Sequence, residues 1–83
     1  MKVEVTARVR QRAVETFAAA DARDVCAALA DADLPLISNN GERVHLAILQ
    51  LARGDPARFR EQLKLAQTDW RDVLVAASLT RAE

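Results

Sequence analysis

Gly54-Asp55-Pro56 constrains this chain more than any other stretch of it. Glycine enters the left-handed backbone region that closes a helix without a steric penalty. An aspartate that follows can accept from a free amide of the next helix. Proline at a first helical position loses nothing, because the N–H there has no partner inside the helix. The tripeptide therefore reads as helix stop, cap and helix start, and apolar residues recur at helical spacing on both sides of it.

Before it, Val44, Ala47, Ile48 and Leu51 form one stripe, with Leu46 and Leu49 on the opposite side. A helix that is apolar nearly all round is normally the buried one. The spacing predicts a central third helix over about 42–53. After it, Phe59, Leu63 and Ala66 mark a fourth helix. Thr68-Asp69 supplies another cap, and Trp70, Val73, Leu74 and Ala77 mark a fifth that ends near Thr80. The first helix is expected after Thr6, on the rhythm Val9, Ala13, Thr16, Phe17, Ala20. The second is expected from Asp21, with Asp24 as a capping-box echo and an inner face of Ala22, Val25, Cys26, Leu29 and Ala32. Pro35 ends it, since the residue before a proline is pushed out of the helical region. Leu34-Pro35-Leu36-Ile37 becomes an apolar connector, and Ser38-Asn39-Asn40-Gly41 a turn.

Met1, Val3 and Val5 alternate with polar residues. They read either as a lead-in to the first helix or as a strand edge that pairs with a second copy. The chain of 83 residues holds two Gly, two Pro and no Tyr. It lacks the turn residues and aromatic runs of an all-β domain. Its 17 alanines favour helix while adding little buried area, so the helices should pack closely over a thin core. The expectation is one all-α domain over 1–83, an irregular bundle of about five short helices. A core this thin also gains from dimerising.

Twelve basic and twelve acidic side chains cancel, but they are segregated along the chain. Residues 1–14 carry +3, residues 15–42 carry −5 and residues 43–64 carry +3. Acidic and basic helices packed side by side would account for this. So would a basic patch of Arg53, Arg58, Arg60 and Lys64 presented to an acidic partner, where charge steers encounter and specificity.

Chemistry is sparse. One Cys and one His are present, and a Cys26–His45 pair in an open cleft is the only enzyme arrangement they allow. Zinc needs three or four such ligands, and no Glu-x-x-His or glycine-rich phosphate loop occurs. No cofactor or metal is expected. A single cysteine excludes an internal disulfide and suits a reducing compartment. With no stretch of roughly 20 apolar residues to span a bilayer, the expected location is cytoplasmic. Nucleic-acid binding would fall to the fourth helix, through Arg58, Arg60 and Lys64, although zero net charge is unlike a phosphate-binding domain. Trp70 is either core or a half-exposed anchor for a protein partner, with Arg71 beside it.

Two segments carry a resemblance. Arg43-Val44-His45-Leu46-Ala47-Ile48-Leu49-Gln50-Leu51-Ala52-Arg53-Gly54-Asp55 contains the pattern Arg-Val-x-x-Ala-x-Leu-x-Leu-x-x-Gly-Asp. Ala66-Gln67-Thr68-Asp69-Trp70-Arg71-Asp72-Val73-Leu74 contains Ala-x-x-Asp-Trp-Arg-Asp-x-Leu. Together they resemble a group of small bacterial helical proteins of uncharacterised function. The resemblance implies a bacterial, cytoplasmic helical protein and brings no activity with it. The residues themselves favour a protein–protein interaction module (an adaptor, regulator or immunity-type partner) that binds through Trp70, Arg71, Arg58, Arg60 and Lys64 without catalysis. A nucleic-acid-associated regulator is the alternative.

Overall fold

The computed structural model describes residues 2–35 and 41–81, with side chains through residue 79. Among them are four helices: α1 (Ala7–Thr16), α2 (Ala19–Asp31), α3 (Gly41–Ala52) and α4 (Pro56–Arg81). The predicted Leu36-Ile37 connector and Ser38-Asn39-Asn40 turn lie outside the described residues.

The expected count of five helices is corrected to four, and the reason is local. The helices predicted on either side of Thr68-Asp69 run on as one, α4, which keeps a break at Asp69 (φ −151°, ψ 93°). Thr68 Oγ1 donates back to the Lys64 carbonyl at 3.2 Å. Asp69 Oδ1 accepts from the Arg71 amide at 3.1 Å. The Asp69 bond is the cap expected there and the Thr68 bond is a back-bond to the preceding turn; together they accompany a kink in the helix that does not end it.

The start of α2 is also corrected. It begins at Ala19, and the residue before it, Ala18, makes no side-chain cap. Alanine enters a helix so readily that Ala19 and Ala20 extend it ahead of Asp21. Asp21 then sits in the first turn, where its charge favours the helix dipole. Ala20, placed on the first helix by its rhythm, therefore belongs to the second and is exposed, as is Thr16.

Thr6 caps α1 as expected, its hydroxyl accepting from the Val9 amide at 3.3 Å. The Gly54 junction also forms as read. Gly54 has φ +78°, and Arg53 before it is left-handed too, at +52°. Asp55 N–H donates to the Ala52 carbonyl at 3.0 Å. Asp55 Oδ1 accepts from the Ala57 amide at 2.9 Å. Removing that cap by Asp55→Ala should cost about 1 kcal/mol in urea unfolding, and Asp55→Asn should keep most of it.

The principal packing partners close a ring: α1 lies against α2 and α3, and α4 lies against α3 and α2. Val9, Ala13 and Phe17 meet Ala22, Val25, Leu29 and Leu34 in one core with Val44, Ala47, Ile48, Leu49, Ala52, Phe59, Ala66, Val73 and Ala77. Seven of the twelve residues of α3 are buried, against two of ten in α1 and three of thirteen in α2. Phe17 meets Phe59 edge to face, with ring centroids 6.2 Å apart, which ties the end of α1 to the start of α4.

The N-terminal segment is neither a helical turn nor a regular strand. Lys2 makes one antiparallel bridge to Asp33, and its ammonium reaches Asp31 at 3.2 Å. Val3 lies over Gly41, where any Cβ would strike its side chain. That close approach seats the segment across the start of α3 and leaves Val5 in the core.

Candidate functional site

The side chains singled out from the sequence do not form one patch. Arg58, Arg60 and Lys64 are all exposed on the first half of α4. Arg60 and Lys64 stand one turn apart and share a face, whereas Arg58, two residues from Arg60, does not. Arg58 instead reaches Asp55 at 4.0 Å. Arg60 lines a shallow depression with Asp21 and Asp24 of α2, floored by Val25, Ala28, Pro56 and Phe59. The two carboxylates there outnumber its one positive charge.

Trp70 is half-buried and packs on the core. Its exposed neighbour Arg71 lies over the indole, with the guanidinium carbon 5.5 Å from the ring centroid. At that separation the ring's quadrupole attracts the cation. Neither an Asp55 nor an Asp72 ion pair holds Arg71 among the described residues.

A second surface was not assembled by sequence reasoning. A groove of about 350 Å³ runs between α1, α3 and the second half of α4. Leu46, Ala47, Leu74 and Ala77 form its floor, and Arg8, Arg12 and Arg43 stand around it with Glu42, Gln50 and Ser78. Arg8 and Arg12 are one turn apart on α1, so helical geometry places both at the same edge. Arg8 reaches Glu42 at 3.8 Å and Arg12 reaches Glu15 at 3.6 Å. Arg43 has no ion pair among the described residues. Gln50 Nε2 donates to the Ala77 carbonyl at 2.7 Å and holds α3 to α4 across the groove. Trp70 lies one turn before Leu74 on α4. The exposed apolar side chains Val75 and Leu79 follow on the same helix.

His45 is wholly buried, and neither ring nitrogen has a hydrogen-bond partner among the described residues. Cys26, half-buried on α2, is therefore not hydrogen-bonded to it. The side-by-side pair in an open cleft that an enzyme reading requires is not assembled. No three His, Cys, Asp or Glu side chains converge as a metal would require, among the described residues. No helix among them is long and apolar enough to cross a membrane.

Burial does set one titration. Desolvation disfavours the imidazolium and holds His45 below its ordinary value of 6.5. As pH falls through 6.5 the unfolded chain takes a proton that the native chain refuses. This titration thus leaves stability untouched above that pH and lowers it as pH falls below. The unfolding free energy from urea titrations should fall from pH 7 to 5, by up to about 1.4 kcal/mol per pH unit. His45→Leu should flatten that slope and raise stability by about 1–3 kcal/mol, since a buried polar group without a partner is removed.

No family model matches the chain, and no curated protein or solved structure matches it either.

Proposed function

We propose that the chain is a small protein–protein interaction module, an adaptor, regulator or immunity-type partner that works without catalysis. The observation that carries this reading is the groove, with three guanidinium groups around an apolar floor. Such a surface can desolvate an apolar anchor at its centre while its rim selects by charge, which is how protein interfaces divide the work. The half-buried Trp70 with Arg71 over it extends the same kind of surface along α4, and Trp and Arg are the residues most enriched at binding hot spots.

The nucleic-acid alternative draws less support. It needs Arg58, Arg60 and Lys64 to act as one strip, but Arg58 faces another way and Arg60 stands beside two carboxylates. A cytoplasmic location follows from the cysteine usage, and a bacterial source from the resemblance stated above. Both are part of the proposal, as is the role of α3 as the central helix.

A tagged full-length chain used as bait in extract from its native host tests the reading. A stoichiometric protein retained after nuclease treatment is the expected result. A signal lost with nuclease would transfer the function to nucleic acid, and no retained protein at all would reject the module.

A further inference from the structure

We propose that the groove between α1, α3 and the second half of α4 binds an acidic amphipathic helix of a partner protein. The inference rests on the reading of the chain as an interaction module and names the chemistry of its partner.

The charge of the groove comes first. Among the described residues, Arg8, Arg12 and Arg43 face a single lining carboxylate, Glu42. The nearest charges that offset the guanidinium groups are exposed pairs at 3.6 and 3.8 Å. Pairs of that kind are weak and exchange readily. A partner carboxylate can take over a guanidinium at little loss and meets it in a planar, bidentate fork. Arg43, with no ion pair among the described residues, needs no exchange.

The floor decides the rest. Leu46 and Leu74, both half-buried, offer apolar surface below the cations, over the buried Ala47 and Ala77, so the occupant must carry apolar side chains on one face and carboxylates on its flanks. An amphipathic helix does this with residues spaced i, i+3 and i+4. The Arg8–Arg12 spacing on α1 matches carboxylates one turn apart on such a helix. A nucleic acid fits less well. Among the described residues the groove has no aromatic lining side chain on which a base could stack, and Glu42 opposes a phosphate. The acidic α2 of a second copy also fits less well, because its apolar residues Ala22, Val25 and Leu29 are already buried in their own chain.

The test is a selection followed by a titration. Random peptides of about 16 residues, enough for several helical turns, are displayed on phage and panned against the full chain. Labelled binders are then titrated by fluorescence anisotropy against the native chain. The comparison proteins are the triple variant Arg8→Glu, Arg12→Glu, Arg43→Glu and the matching triple alanine variant. All three positions are exposed, and circular dichroism melts confirm that each variant folds. Should the charge-reversed chain unfold, the alanine chain carries the comparison. The expected binders combine Asp or Glu with Leu, Ile or Phe at helical spacing, and weaken on the order of 10- to 100-fold on charge reversal, less with alanine. Peptide binders without acidic residues, or binders untouched by either variant, would overturn the groove assignment while leaving the interaction module standing. An empty selection overturns the groove assignment. If a short single-stranded oligonucleotide then binds with steep salt dependence, the module falls as well.

Discussion

Ile48→Ala should lower the unfolding free energy by about 2–5 kcal/mol, at the upper part of that range. Ile48 is fully buried on α3, and truncation removes its transfer energy and leaves a cavity. How much the cavity costs depends on how well neighbours can collapse into it. Much of this core is alanine, namely Ala13, Ala22, Ala47, Ala52, Ala66 and Ala77. Alanine has no rotamer to swing into a hole, so the helices themselves must move. At roughly 0.05–0.15 kcal/mol per residue, a chain of 83 residues has about 4–12 kcal/mol in total. A loss near the top of the range leaves the variant partly unfolded in buffer. Urea unfolding followed at a helical circular-dichroism band gives the number, with Ile48→Val as a control at about 0.5–1.5 kcal/mol. A loss below about 1 kcal/mol for the alanine variant would mean that the site is looser than close packing allows.

Gly54→Val is expected to cost about 3 kcal/mol, from two sources that act at one atom. At φ +78° a β-branched side chain is held in a region it avoids. Its Cβ would also be driven onto the backbone carbonyl oxygen of Thr16. A backbone oxygen at the end of α1 cannot rotate away as a side chain would, so the α1–α3 contact must open. Gly54→Ala meets the same oxygen with less bulk and should fall between the native chain and the valine variant. Equal stability for all three would show that the junction relaxes without disturbing α1.

The parts of this fold legible in the sequence are those decided within a few residues. Gly54-Asp55-Pro56 is a local device, and it forms as read because its bonds reach no farther than Ala52 and Phe59. Thr6 is another. Spacing alone picks out Val9, Ala13, Val25, Leu29, Val44 and Ile48, all buried, but it also put Thr16 and Ala20 on the inner face of the first helix, and both are exposed. Where local preferences compete, reading fails. At Asp69 the cap forms, but the alanine- and leucine-rich segments on either side keep the helix running through it. At Ala19 helix propensity outran the cap at Asp21.

The groove lay beyond sequence reading for a different reason. The positive charge of residues 1–14 and 43–64 is plain in the chain, but which helices adjoin is a matter of tertiary packing. Only once α1 lies against α3, and α3 against α4, do Arg8, Arg12 and Arg43 surround Leu46 and Leu74. The same packing sets Arg60, one member of the patch expected from Arg53, Arg58, Arg60 and Lys64, beside Asp21 and Asp24.

The most direct test of the central claim is an NMR titration of the isotope-labelled chain with a selected acidic peptide. Amide shifts should concentrate at Arg8, Arg12, Arg43, Leu46, Leu74 and Ser78, which line the groove, and weaken as salt rises. Shifts confined to Arg58, Phe59, Arg60 and Lys64 would place recognition on the first half of α4 and contradict the account.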